Sequence, residues 1–196
     1  PFIIEQVDSL KEKDLQLDYF LIQGKGILGY LRNRDKLIKK IYNYKPDIIH
    51  AHYGLSGLLA NLQRKIPVIT TYHGSDINEP FLKLFSKISI ILSKHNIFVS
   101  LKLAKKVKAK NKFSIISCGI NLKVFSPINR VVAREKLNLD LEKKYVLFSS
   151  SFSNKIKNYP LAKEAIDILI REGFNIELIE LKGYSRKEVN LLMNSV

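Results

Sequence analysis

The chain has 196 residues, of which 46% are hydrophobic, and it carries 33 Lys and Arg against 18 Asp and Glu. This apolar content supplies a sizeable core and excludes global disorder, and no apolar run approaches the ~18 residues that a membrane-spanning helix needs. The single cysteine excludes an internal disulfide, and the net charge of +15 favours anionic partners such as nucleotides, nucleic acids or anionic membranes.

Helical and strand patterns alternate along most of the chain. Apolar periods near 3.6 residues predict helices, and two-residue alternation or short apolar runs predict strands. The predicted helices span residues 2–13, 27–44, 55–64, 81–93, 102–110, 130–137, 160–171 and 185–194, and the predicted strands span 15–22, 47–51, 67–72, 96–100, 113–117, 145–149 and 176–180. This order predicts an α/β fold with parallel sheets and crossover helices.

The pattern also suggests a domain division. We expect a first domain at 1–125, a linker at 126–144 and the beginning of a second domain at 145–196. The first domain opens on a helix with no preceding strand, and the second has only two strands. We therefore expect the chain to be a piece of a longer two-domain protein.

Histidines follow two neighbouring strands of the predicted sheet. His52 comes directly after the strand at 47–51, and His73 follows the strand at 67–72. In open parallel sheets, ligands bind at the carboxyl ends of the strands. The sequence therefore predicts a site at this edge, with both imidazoles near it.

Four motifs together resemble a known family, the retaining glycosyltransferases of family 4, which have the GT-B fold. The motifs are DIIHAH at 47–52, PVITTYHGSD at 67–76, IISCGINLKVFSP at 115–127, and YVLF at 145–148 followed by KN at 157–158. The resemblance implies a Rossmann-like acceptor-side domain and the start of a second, donor-binding Rossmann-like domain, with a cleft between them. It also implies transfer of a sugar from a nucleotide-sugar to a polysaccharide, lipid-linked or other glycan acceptor, without a metal or other cofactor.

On the acceptor side, the resemblance assigns the catalytic position to His73, whose imidazole would bind the transferred sugar. It places His52, Gly74, Ser75 and Asp76 among the substrate-binding residues. Other roles remain open, because His73 could cap a strand end and both Ser75 and Asp76 could cap the next helix.

On the donor side, the resemblance assigns Gly119, Asn121 and Lys157. A lysine before a helix suits a diphosphate leaving group, and we expect it to face His73 across the cleft. The family normally has an arginine six residues earlier, where this chain has Ser151. Asn121 could instead be only a turn residue.

Two weaker patterns suggest other ligands. His50 and His52 alternate on one strand face, which could suit a metal, but no further ligand cluster accompanies them, so we expect no metal site. Gly24, Gly26 and Gly29 match the spacing of a dinucleotide-binding loop, but no acidic residue ends the next strand.

We expect Cys118 to be a packed thiol rather than a nucleophile.

Two basic clusters, at 36–45 and 102–112, have an apolar side and could dock on an anionic membrane, although such runs are often the solvated faces of packed helices. The chain shows no charged-then-apolar leader. We therefore expect a cytoplasmic protein, either free or peripheral at the inner face of the membrane.

Two other functions remain alternatives to sugar transfer. One is a GT-B nucleotide-sugar epimerase, and the other is a non-enzymatic, basic nucleic-acid-binding module. The family's Gly-rich loop and acidic donor motif do not occur within these 196 residues. We therefore expect that the chain alone does not catalyse sugar transfer.

Overall fold

A computed structural model describes residues 2–24, 26–110 and 112–196. It divides the chain into unit 1, which ends at Gly119, and unit 2, which begins at Ile120. This division falls earlier than the expected end of the first domain at residue 125. None of the described helices has the length and apolarity needed to cross a bilayer.

Unit 1 contains seven described helices and four strands. In chain order they are α1 (Phe2–Lys11), α2 (Gly26–Leu31), α3 (Arg34–Tyr44), β1 (Ile49–His52), α4 (Gly54–Asn61), β2 (Val68–Tyr72), α5 (Ser75–Asn78), α6 (Pro80–Leu92), β3 (His95–Phe98), α7 (Leu101–Lys106) and β4 (Phe113–Ile115).

The four strands of unit 1 form one parallel sheet in the order β1-β2-β3-β4. This confirms the predicted α/β fold with a parallel sheet. The core lies beside β2 and β3, where Tyr72, Ile77 and Phe98 are completely buried, and the Tyr72 and Phe98 rings stack with centroids 5.0 Å apart. Both central strands are short and end in a completely buried aromatic residue, as expected for strands that are covered by crossover helices.

Small side chains allow α4 and α6 to pack closely. A Cβ atom on Gly54 would collide with the Ser86 hydroxyl, and a Cβ on Gly57 would collide with Ser89 and Thr70. Ser86 and Ser89 are buried on the facing side of α6. The spacing of two glycines on one helix and two serines on the other therefore brings the two helix backbones close together.

Two expectations near the beginning of unit 1 are wrong. Residues 15–22 form no strand, although their apolar side chains alternate, and Leu21 is 81% exposed. An alternating pattern predicts two strand faces, but a strand also needs a neighbouring strand to which it hydrogen-bonds. Residues 15–22 do not pair with β1, which is the edge of the described sheet. The single helix expected at 27–44 is two helices, α2 and α3.

Asn33 marks the break between α2 and α3. Its side-chain amide is buried and donates to the carbonyl oxygens of Gln23 and Gly29, at 2.8 and 2.6 Å. A Cβ on Gly29 would lie 2.8 Å from the backbone of Gly24. This close contact explains Gly24 and Gly29 as packing of a turn against α2. The described residues before this turn form no strand, which a dinucleotide-binding loop requires.

Unit 2 contains three helices, a short 3-10 helix and two strands among its described elements. They are α8 (Arg130–Lys136), β5 (Lys144–Phe148), the 3-10 helix at Lys155–Lys157, α9 (Tyr159–Arg171), β6 (Ile176–Glu180) and α10 (Arg186–Ser195). The two strands pair in parallel.

Residues expected to form a linker at 126–144 are part of the packing of unit 2. Arg134 of α8 is buried, and its guanidinium donates to the carbonyl oxygens of Ser195 and Leu141, at 2.7 and 2.6 Å. The same guanidinium lies over the Tyr145 ring, 5.2 Å from its centroid. A buried charge needs such partners, so Arg134 holds α8 against α10 and β5.

The close contact of α4 and α6 predicts that Gly57→Ala destabilises the protein. The added methyl must displace buried Ser89 and Thr70 atoms, which we expect to cost about 1–3 kcal/mol of unfolding free energy. Urea denaturation followed by far-UV circular dichroism measures this. Gly119→Ala is the matched control, because a Cβ there meets nothing within 4 Å. Equal stability of the two variants would contradict the close packing.

Candidate active site at the carboxyl edge of the unit 1 sheet

Two loops at the carboxyl edge of the sheet bring His52 and His73 together. His52 is the last residue of β1, and His73 directly follows β2. The register pairs His52 with Thr71, so these side chains share one face of the sheet, and the Thr71 carbonyl accepts from the Tyr53 backbone N–H at 2.9 Å. Ala51 points to the opposite face, where it packs with Ala60.

The imidazoles of His52 and His73 are directly joined. The Nδ1 atom of His52 lies 3.1 Å from the Nε2 atom of His73, and the rings stack with centroids 5.4 Å apart. Both rings are partly buried. His50 extends the row, with its ring centroid 4.4 Å from that of His52 and its Nε2 atom 2.8 Å from the Thr71 hydroxyl. His50 itself is exposed.

Asp76 ties the two loops to each other. Its carboxylate is completely buried, with Oδ1 accepting from the Gly74 backbone N–H at 2.9 Å and Oδ2 accepting from the Gly54 backbone N–H at 3.2 Å. Gly54 begins the helix after β1, and Gly74 lies in the loop after β2. One carboxylate therefore fixes the backbone on both sides of the histidine pair.

The loops that Asp76 joins contain unusual backbone conformations. Tyr53 has a φ of 85° and Gly74 a φ of 126°. The value at Tyr53 is rare for a residue with a side chain and costs conformational energy. The hydrogen bond from Gly54 to Asp76 holds the chain beside this strained residue.

Burial controls the protonation of the site. Burial first, and then the nearby His50 and His73, together lower the pKa of His52 to about 4. Burial also lowers the pKa of His73, although the Asp76 carboxylate opposes this change. The same burial raises the pKa of Asp76 against the hydrogen bonds it accepts from backbone N–H groups. At neutral pH, His52 is therefore an uncharged partner of His73.

The other acceptor-side residues occupy different environments. Gly74 and Asp76 are buried, whereas Ser75 is exposed. Neither Ser75 nor Asp76 caps α5, whose N-cap is Gly74 without a side-chain cap. The carboxylate of Asp76 thus joins two loops rather than capping the helix, and Ser75 is the side chain of this group that is open to solvent.

Sequence reasoning missed the contact of Cys118 with the site. The expectation of a packed thiol is wrong, because Cys118 is exposed and its Sγ atom lies 3.9 Å from the Nδ1 atom of His73. Cys118 follows β4 and is distant in sequence from His73. Only the folded order of the strands reveals this contact.

The predicted donor residues are exposed or lie in turns. Gly119 is exposed at the end of unit 1. In unit 2, Asn121 accepts from the Lys123 backbone N–H at 3.0 Å, which is a turn interaction. Lys157 is exposed and ends the 3-10 helix, so it lies near the amino end of α9.

Ser151, at the position of the family's arginine, stabilises the loop after β5. Its hydroxyl donates to the Glu180 carboxylate at 2.8 Å, and the Phe152 backbone N–H donates to the same oxygen at 2.7 Å. These bonds lower the pKa of Glu180. Glu180 ends β6, so this carboxylate holds the loop against the neighbouring strand.

The described residues contain no group of three or more His, Cys, Asp and Glu side chains arranged to hold a metal ion.

The segment that forms this sheet edge matches a known protein family. The family model described as Glycosyltransferase Family 4 matches residues 15–124, which is more than half of the chain. The chain belongs to Glycosyltransferase Family 4. This confirms the resemblance read from the histidine-bearing motifs. No curated protein sequence matches the chain significantly.

Solved structures support the GT-B fold. Sucrose-phosphate synthase from Thermosynechococcus elongatus superposes with a TM-score of 0.62 at 16% identity, over 90% of this chain and 55% of that one. A glycosyltransferase from Rickettsia africae gives 0.55 at 16% identity, over 96% and 59%. A candidate UDP-N-acetylglucosamine 2-epimerase from Listeria monocytogenes gives 0.55 at 15% identity, over 96% and 54%. The chain thus spans little more than half the length of these structures.

The Asp76 carboxylate accepts hydrogen bonds from two loops, so we expect Asp76→Ala to destabilise unit 1. Two buried N–H groups lose an ionised acceptor, which we expect to cost about 3 kcal/mol or more. Urea denaturation measures the loss. Ser75→Ala changes the exposed neighbour and should alter stability by less than about 0.5 kcal/mol. A stable Asp76→Ala protein would mean that the two loops do not depend on this carboxylate.

The lowered pKa of His52 predicts an unusual titration. Its folded value of about 4 lies below the unfolded value of 6.5, so protons bind the unfolded chain more tightly between these values. The free energy of unfolding should therefore decrease as the pH falls from about 6.5 to about 4. Proton NMR of the imidazole resonances, assigned with His52→Gln, should show a midpoint near 4. A midpoint at or above 6.5 would contradict the buried, uncharged ring.

Proposed function

We propose that this chain is part of an enzyme that transfers a sugar from a nucleotide-sugar donor to a polysaccharide, lipid-linked or other glycan acceptor, with retention of anomeric configuration. The observation that carries the proposal is the joined His52–His73 pair at the carboxyl edge of the unit 1 sheet, within the stretch that matches the family model. The proposal includes the cytoplasm as the site of action.

His73 is the proposed catalytic residue. Its ring is partly buried beside an uncharged His52, so it can hydrogen-bond sugar hydroxyl groups without carrying a fixed charge. Ser75 is exposed beside it and is the proposed second contact to the substrate. Asp76 and Gly74 are buried, so we assign them to positioning these groups rather than to sugar contact.

Unit 2 supplies the proposed donor contacts. Lys157 is exposed just before α9, whose amino end carries partial positive charge. A diphosphate leaving group suits this combination of an ammonium group and helix N–H groups. Because Ser151 is engaged with Glu180, Lys157 is the basic residue that we assign to the phosphates. Gly119, which ends unit 1, and Asn121 of unit 2 keep their proposed roles in donor binding.

An epimerase that acts on a nucleotide-sugar is the second candidate, because the Listeria structure named for such an enzyme has the same TM-score as the Rickettsia glycosyltransferase. A screen of the whole protein with a panel of nucleotide-sugars separates the two. Nucleotide release that requires an added acceptor supports transfer, whereas conversion of the donor to its epimer supports the alternative. Salt-sensitive binding of nucleic acid without any response to nucleotide-sugars would contradict both.

Two substitutions test the assigned roles in the whole protein. His73→Ala should lower kcat about 100-fold while the protein remains folded, since a polar contact to the reacting sugar is lost. Lys157→Ala should chiefly raise the donor KM, by about tenfold. Lys163→Ala is the control, because Lys163 is exposed on α9 and paired with Asp167. Turnover unchanged by His73→Ala would contradict the proposed catalytic role.

A further inference from the structure

Helix α6 carries an apolar stripe on its outer side. Phe81, Leu84, Ile88 and Ile91 are 65%, 59%, 40% and 80% exposed. Their spacing of three and four residues places them on one face of the helix. The opposite face contains the buried serines that contact α4, so the stripe points away from the packed interior of unit 1.

Lysines border this apolar stripe. Lys83 and Lys87 lie on α6 beside the stripe, and Lys94 follows the end of the helix. None of the three forms an ion pair among the described residues. The surrounding sequence is also positively charged, because it contains neither Asp nor Glu between Glu79 and Glu135. The stripe is therefore an apolar surface beside uncompensated positive charge.

The two basic clusters singled out in the sequence have a different arrangement. In the 36–45 cluster Leu37 is buried, and in the 102–112 cluster Leu103 and Ala104 are buried, each at 7% exposure or less. These three side chains are used for packing within unit 1. The structure thus favours the solvated-face interpretation for both clusters, although Ile38 is 38% exposed. Within unit 1, α6 combines four exposed apolar side chains on one face with neighbouring lysines.

We propose that the outer face of α6 docks on the surface of an anionic lipid bilayer. A helix of 13 residues is about 20 Å long, which suits a helix lying in the plane of the interface. Apolar side chains would enter the boundary between headgroups and acyl chains, and the lysines would pair with lipid phosphates. Charge complementarity selects this occupant, because a second copy of the same helix would bring lysines against lysines.

The proposal does not depend on sugar transfer. Docking involves residues that are separate from His52, His73 and Lys157, so membrane binding and turnover can each fail without the other. An enzyme with this surface would work on substrates presented at a membrane, whereas a protein of any other function with this surface would still bind the bilayer.

The test is cosedimentation of the whole protein with phosphatidylcholine vesicles, with or without phosphatidylglycerol. We expect binding only when the anionic lipid is present. The double variant L84S/I91S should lower the partition coefficient about tenfold or more. The matched control is L161S/I170S on α9, whose residues are 62% and 51% exposed and should have little effect. All four positions are on the surface, so folding should be retained.

A second pair of variants separates specific docking from general attraction. Lys83, Lys87 and Lys94 changed together to Gln should weaken binding about tenfold or more. The same change at exposed Lys36, Lys39 and Lys45 of α3 and its C-cap removes equal charge and should weaken binding much less.

Three outcomes would overturn the proposal. The first is the absence of binding to anionic vesicles. The second is an equal loss of vesicle binding from the two sets of three Lys→Gln changes, with no effect of L84S/I91S. The third is self-association in analytical ultracentrifugation that L84S/I91S abolishes. The last result would assign the face to a second copy of the chain.

Discussion

The buried carboxylate of Asp76 is the interaction on which the site depends. It accepts hydrogen bonds from Gly74 in its own loop and from Gly54 in the loop after the neighbouring strand. A charged group without solvent is costly unless it is fully hydrogen-bonded. The requirement to satisfy this carboxylate therefore helps to fix the relative position of the two loops, in addition to the Tyr53–Thr71 hydrogen bond.

The histidine pair follows from that constraint. With both loops fixed, His52 and His73 meet at 3.1 Å, and burial keeps the pKa of His52 near 4. A polar but uncharged surface results at the carboxyl edge of the sheet. Such a surface suits a sugar, whose hydroxyl groups require hydrogen-bond partners of both kinds and no fixed counter-charge.

Much of this arrangement could be predicted from the sequence. Short apolar runs located the four strands of unit 1, and the sheet edge where parallel strands end predicted that His52 and His73 lie close together. The strand expected at 15–22 failed because alternation does not reveal whether a neighbouring strand is available. The small residues of α4 indicated a helix, but their tight contact with Ser86 and Ser89 of α6 becomes visible only in the folded chain.

The remaining features depend on contacts that are distant in sequence. From local sequence, Asp76 is expected to cap the adjacent helix. Its actual partner, the Gly54 backbone N–H, lies before β2 in the chain, and no local pattern predicts a bond between the two. The outward stripe of α6 was hidden for a similar reason, since apolar residues occur on most sides of this helix and only burial distinguishes the faces. Local periodicity predicts elements, whereas tertiary contacts assign their faces.

Amide hydrogen exchange at Gly54 and Gly74 tests the central claim most directly. The account predicts that both amides exchange slowly in the native protein, since each donates to a buried carboxylate, and that both become fast in Asp76→Ala while the amides of β2 remain protected. Rapid exchange of Gly54 and Gly74 in the unaltered protein, or rates that Asp76→Ala leaves unchanged, would contradict it.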